Sequence, residues 1–98
     1  MDMITALKRI IETGKIERGS EKALDNLASG KAKMVVIALN CPKKLREKIE
    51  NRAKIDNVPL LVFPGTALQL GEVCGKPFLV ASLTVLDAGT VSLKDLKA

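Results

Sequence analysis

Two uninterrupted apolar runs, "MVVIAL" at 34–39 and "VPLLVF" at 58–63, flank a polar stretch with helical spacing, and this unit constrains the fold more than any other feature of the chain. Each run is short, rich in β-branched residues and apolar at every position rather than at every second one. A strand of that kind is buried on both faces. Pro59 sits near the start of the second run, where a proline is tolerated. Between the runs, "NCP" (40–42) places Asn40 or Cys41 to cap a helix, with Pro42 near its first position. Leu45, Ile49 and Ala53 then recur at i, i+4 and i+8, so the spacing predicts a helix to about Asp56, supported by a Glu50–Lys54 pair. Two buried strands joined by one helix lie parallel in a sheet covered on both sides.

The rest of the chain extends this pattern. Ile4, Leu7, Ile10 and Ile11 share one face of a helix over 3–13, with Asp2 as its cap and Gly14 as its stop. "KIER" (15–18) reads as a short extended piece. Ser20 is the expected N-cap of a helix that carries Ala23, Leu24, Leu27 and Ala28 and ends at Gly30. Thr66 and Gln69 have capping-box spacing over a short helix; its Leu68 and Val73 are expected to face the core, and it ends near Gly71–Gly75. "PFLVASLTVL" (77–86) is the longest strand candidate. "DAGT" (87–90) is a turn, and "VSL" (91–93) is either a short return strand or a packed tail. The order αβαβαβαβ predicts one α/β domain over residues 1–98, with helices on both faces of a sheet.

Composition removes most catalytic chemistries. The chain has no His, and with it go the commonest general base and the ordinary triads. Two cysteines, Cys41 and Cys74, form neither a disulfide framework nor a zinc set, so no structural metal site is expected. "GKPF" (75–78) resembles the end of a phosphate loop but precedes a strand and lacks the glycine five residues earlier. Cys41 is the best candidate nucleophile: at a helix N-terminus beside Lys43 and Lys44 its thiol pKa is expected to fall. No base or orienting group accompanies it, and a small, partly buried residue at a helix cap is the better explanation. No apolar run approaches the ~20 residues of a membrane span, and "MDMITALKRI" is charged too early for a signal peptide. The expected location is cytoplasmic, with no membrane partner.

Charge is the positive signal. The net charge is +5, yet residues 31–54 alone carry eight basic and two acidic side chains, and the remainder is close to neutral. A basic excess confined to one segment suits an anionic partner, nucleic acid first, or else a solvated lysine-rich face.

Five stretches together, "TGKIERG" (13–19), "GKAKMVVIALNCP" (30–42), "VPLLVFPGT" (58–66), "LGEVCGKPF" (70–78) and "DAGTVSL" (87–93), resemble the L-thirty-e family of large-subunit ribosomal proteins. That family is a branch of the L-seven-Ae kink-turn RNA-binding superfamily of archaea and eukaryotes. Each stretch alone is common; their order and spacing over almost the whole chain are specific. The resemblance implies a three-layer α-β-α sandwich with a mixed, roughly four-stranded sheet. It implies no catalysis and no cofactor. The implied partners are ribosomal RNA containing a kink-turn and other ribosomal components, and the free chain is expected to be a monomer.

The resemblance also implies three RNA-binding pieces. The first is Gly19, Ser20, Glu21 and Lys22. Other members of the superfamily carry Asn then Glu where this chain has Glu21 then Lys22, which leaves Glu21 either a base reader or a complement to the helix dipole. The second is Asn40, Lys43, Lys44 and Arg46: an amide with donor and acceptor for a base edge, or a plain helix cap, followed by cations for phosphates. The third is Gly75, Lys76, Pro77 and Phe78, extended by Leu79 or Val80, and Val80 is included in the set. Here aromatic and apolar surface is expected to meet unstacked bases. Phe63, inside a buried run, is expected to be core. All three pieces must then lie at the end of the sheet where strand 34–39 finishes, with the last strand running antiparallel to it.

The alternatives are another kink-turn RNA-binding protein of the same superfamily, acting as a ribonucleoprotein core or a messenger-RNA regulator, a protein-interaction module with a basic face, and a small thiol enzyme using Cys41. The missing Asn-Glu pair after Gly19 argues against the ribonucleoprotein core.

Overall fold

A computed structural model of the protein describes residues 3–77, 79–89 and 91. Its elements follow the order α1 (Met3–Thr13), β1 (Lys15–Arg18), α2 (Ser20–Ala28), β2 (Met34–Ala38), α3 (Lys43–Ile55), β3 (Leu60–Phe63), α4 (Ala67–Val73) and β4 (Ser82–Asp87). The four strands form one mixed sheet in the order β1-β4-β2-β3. β2 and β3 are parallel, pairing Val35 with Leu60 and Ala38 with Phe63. β4 runs antiparallel to both of its neighbours, with Ile37 opposite Ser82 and Arg18 opposite Leu83.

Alternation along β2 builds the three layers, because successive side chains leave a strand on opposite faces. Met34, Val36 and Ala38 join Leu83 and Val85 beneath α1 and α4, in a core with Ala6, Leu7, Ile10, Phe63, Leu70 and Cys74. Val35 and Ile37 point the other way, against Ala23 and Leu27 of α2 and Ile49 and Ala53 of α3. All five residues of β2 are buried, as a strand covered on both faces requires. The second run behaves differently. β3 is an edge strand, so only Phe63 is buried and the other three residues are half-exposed. The opposite edge, β1, is four residues long with charged ends, the kind of edge that resists pairing with another chain.

Several local expectations need correction. The strand 34–39 stops at Ala38, and Leu39 is 61% exposed. Leu68 is 51% exposed; the core side of α4 carries Ala67, Leu70 and the half-buried Val73 at i, i+3 spacing, and Leu68 falls off that face. Glu50 pairs with Arg46 at 2.7 Å rather than with Lys54, and a second pair joins Arg52 to Asp56 at 2.9 Å. The strand expected from residue 77 begins at Ser82: β1 ends at Arg18 opposite Leu83, and the β2 register ends with Ile37 opposite Ser82. Of "VSL", Val91 is described, and it is buried against the α1/α4 core in the manner of a packed tail. The Asp2 cap lies outside the described residues.

Candidate nucleic-acid interface

Strand direction decides what meets at each end of the sheet. β1, β2 and β3 all finish where β4 begins. Four chain crossings therefore share one end, and backbone bonds tie them together. The Gly19 N–H donates to the Ser82 carbonyl at 3.0 Å, Ala38 N–H to Ala81 at 2.8 Å, and Leu39 N–H to Gly65 at 2.9 Å. Val80 N–H donates to Ala67 at 3.0 Å, so the loop before β4 folds back over the start of α4. The three sequence pieces expected to form a rim are brought to this single end.

At the first piece, Gly19 rather than Ser20 is the N-cap of α2. It adopts φ +103°, a conformation that suits glycine, as the chain turns from β1 into the helix. The Ser20 hydroxyl is engaged elsewhere, 2.9 Å from the Ser82 hydroxyl, and this contact pins the helix start to the sheet. No side chain caps α2, so first-turn N–H groups stay open at the rim beside the exposed Glu21 and Lys22.

At the second piece, α3 starts after Pro42 with no side-chain cap and with Lys43 and Lys44, both exposed, in its first turn. Asn40 does cap a helix, but a different one. Its Oδ1 accepts the Ala67 N–H of α4 at 2.8 Å, across 27 residues of sequence. Arg46, expected to meet phosphate, already donates its Nε to Glu50.

At the third piece, Gly75 (φ +73°) ends α4 and Lys76 N–H closes back onto the Gly71 carbonyl at 2.9 Å. Pro77 is exposed. Phe78 lies outside the described residues. Val80 is 2% exposed, inside the α1/α4 core, so its place among RNA contacts is corrected; Leu79, 68% exposed, is the apolar side chain this loop presents. An open depression of about 410 Å³ separates this loop from the first piece, lined by Arg18, Gly19, Ser20, Leu79, Val80 and Ala81. Leu79, Val80 and Ala81 make much of the lining apolar, and Arg18 adds a cation. Sequence reasoning passed over Arg18 as a member of this lining. Its position immediately before Gly19 at a strand end was the available signal.

Cys41 does not behave as an activated nucleophile. Burial pushes its thiol up from the ordinary value; the Arg46 guanidinium opposes that shift and the Glu50 carboxylate adds to it. The lowering expected from Lys43 and Lys44 is not seen: desolvation dominates, and the cation that opposes it is Arg46. Burial likewise raises Cys74, against the pull of Arg18 and Lys76. Alkylation of Cys41 by iodoacetamide at pH 8, followed on its own peptide by mass spectrometry, should run about tenfold slower in the folded protein than in denaturant. Because the thiolate forms only above the raised pKa, the folded-state rate should still climb at pH values where an exposed cysteine has levelled off. Among the described residues, no group of three or more His, Cys, Asp or Glu side chains is arranged to hold a metal, and no helix is long and apolar enough to cross a membrane.

Fold and rim together define a three-layer α/β protein whose one open end carries cations, unspent backbone donors and a shallow apolar depression. The chain belongs to the Ribosomal protein L7Ae/L30e/S12e/Gadd45 family, whose model matches residues 1–94. It is 45% identical over 87 residues to the large ribosomal subunit protein eL30 of Methanopyrus kandleri, covering 89% of this chain and 80% of the relative. It is 42% identical over 96 residues to the protein of the same name from Methanocaldococcus jannaschii, covering 98% and 87%. A solved structure of a Bacillus halodurans protein of unknown function superimposes with a TM-score of 0.78 at 18% identity, over 89% of this chain and 86% of the other, a likeness of fold alone. Both relatives are named as large ribosomal subunit proteins, and the burial of Cys41 lends the thiol-enzyme alternative no support.

Proposed function

We propose that this chain is a structural component of the large ribosomal subunit that binds kink-turn RNA through the rim at the β4 entry. The observation that carries the proposal is the convergence of three pieces, separated by some twenty to thirty-five residues each, at one end of the sheet. A sharp bend in RNA presents phosphates on its outside and unstacked base faces within, and the rim supplies a counterpart for each. Lys43, Lys44, Lys22 and Lys76 serve the phosphates, together with the open first-turn N–H groups of α2. Leu79, Pro77 and Phe78 serve a base face, a contact worth about 1–3 kcal/mol per base. Asn40 and Glu21 serve base edges.

The helix charges support a ligand at this end. Two lysines in the first turn of α3 oppose the positive end of the helix dipole and weaken the helix locally. Cations in that position help the protein only when an anion joins them. The family and the eL30 relatives support the ribosomal setting, with ribosomal RNA and neighbouring ribosomal components as partners and the cytoplasmic ribosome as location; the free chain is taken as a monomer before assembly.

The test compares binding to a kink-turn RNA with binding to the same RNA after its sheared G·A pairs are replaced by Watson–Crick pairs. At matched salt the intact motif should bind at least about tenfold tighter, which corresponds to about 1.4 kcal/mol. Equal affinities would overturn the proposal in favour of nonspecific phosphate binding.

A further inference from the structure

We infer that Ser82, a fully buried residue that meets no RNA, is a positioning residue of the rim, and that its hydroxyl holds the first turn of α2 in the place where RNA is bound. The inference rests on the rim reading above and names what keeps the first of the three pieces there.

Apolar packing fastens α2 only weakly. The helix lies on β4 and β1 and beside α3. Its buried side chains are Ala23, Asn26 and Leu27, so one leucine and one small residue make up the apolar share. The strand beneath it is polar as well. Leu83 and Val85 of β4 enter the α1/α4 core, and alternation along the strand therefore turns Ser82 and Thr84 towards α2. Both are fully buried. Towards the far end of this contact, Asn26 Nδ2 and Thr84 Oγ1 are buried with no hydrogen-bond partner among the described residues. A buried polar atom of that kind costs desolvation and returns nothing. At the rim end the polar groups do close: the Ser20 and Ser82 hydroxyls lie 2.9 Å apart. The polar fastening of α2 to β4 is thus concentrated beside the first turn.

Ser82 holds that turn by two atoms. Its carbonyl accepts the Gly19 N–H at 3.0 Å, and its hydroxyl meets Ser20, the first residue of the helix. Attachments at two consecutive residues fix the direction of the turn as well as its place. The turn has no side-chain cap, so its N–H groups and the exposed Lys22 are what a phosphate would meet. Ser82 also stands where the other two pieces join the sheet. It pairs with Ile37, three residues before Asn40, and it is the first strand residue after the loop that carries Gly75 to Pro77. One buried side chain therefore sets the first piece in register with the second and third.

Ser20→Ala and Ser82→Ala each remove one hydroxyl of the pair, and the double variant removes both. Thr84→Val is the control: it deletes a buried hydroxyl from the same strand and the same face, but one that makes no hydrogen bond among the described residues. Three measurements are made on each protein: the melting temperature, the affinity for the intact kink-turn RNA beside its G·A-replaced control, and hydrogen exchange of the Ala23 amide. That amide closes the first turn onto the Gly19 carbonyl at 3.1 Å, and its exchange is read without RNA. Each single alanine variant should bind the kink-turn about tenfold more weakly, the order of one hydrogen bond to a charged group. The Ala23 amide should exchange faster in both, with the melting temperature lowered by less than about 8 °C. The double variant should bind no worse than either single one, because the two hydroxyls make one interaction. Thr84→Val should melt at or above the wild-type temperature and bind as the wild type does.

Losses that add in the double variant, or a loss confined to Ser20→Ala, would show the Ser20 hydroxyl meeting RNA by itself and would overturn the inference. So would Ser82→Ala binding as tightly as Thr84→Val. A wild-type protein with no preference for the kink-turn would overturn the rim reading and the inference with it, and the Ala23 exchange tells the two failures apart.

Discussion

Replacing three rim lysines together, Lys43→Ala, Lys44→Ala and Lys76→Ala, should weaken binding to a kink-turn RNA by about a hundredfold or more at 0.1 M salt. Each phosphate contact contributes about 0.7–0.9 to the slope of log affinity against log salt. Three lost contacts make that slope shallower by about 2–3, and the affinity difference narrows as salt approaches 1 M. Arg46 is left out of the set because its Nε is donated to Glu50 at 2.7 Å. The same variant should fold normally. Lys43 and Lys44 are exposed and Lys76 is half-buried. The first two also oppose the α3 dipole, so removing them should leave the melting temperature unchanged or raise it slightly. Affinities measured between 0.05 and 0.5 M salt test both halves. A slope equal to the wild type's would show that the lysines do not meet phosphate.

The largest effect on stability is expected from Ile37→Ala. Ile37 is fully buried in the central strand β2, between Ala23 and Leu27 on one helix and Ile49 and Ala53 on the other. Truncating such a side chain removes its transfer free energy and leaves a cavity that rigid neighbours cannot fill, a loss of about 2–5 kcal/mol. Domains of this size are stable by about 5–15 kcal/mol in total. At about 4–8 °C per kcal/mol the melting temperature should fall by about 8–40 °C. Ile55→Ala, the same truncation at an exposed position near the end of α3, should change stability by less than about 0.5 kcal/mol. If the two variants melted together, the two-sided burial of β2 would be wrong.

Much of the architecture was legible because it rests on local patterns. A strand apolar at every position announces burial on both faces, and β2 has it. The reciprocal Thr66–Gln69 cap was readable from spacing alone and is present atom for atom. The places where pattern reading failed share one cause. Whether Val80 or Leu79 faces solvent depends on how the loop folds back onto Ala67. Whether Glu50 pairs with Arg46 or Lys54 depends on side-chain choices between two equivalent spacings. Whether the Cys41 thiol is lowered or raised depends on burial, which raises it against the pull of Arg46.

Alone, the order of residues specified eight alternating elements, an excess of positive charge in one segment, and the turn-forming pieces that separate the elements. Hydrophobic periodicity and turn chemistry act over a few residues, so they can be read along the chain. The tertiary structure decided the rest: that the sheet runs β1-β4-β2-β3, that its strand directions bring those pieces to one end, and that Asn40 caps a helix 27 residues away. Those contacts join residues far apart in sequence, and their geometry exists only once the chain has closed around its core.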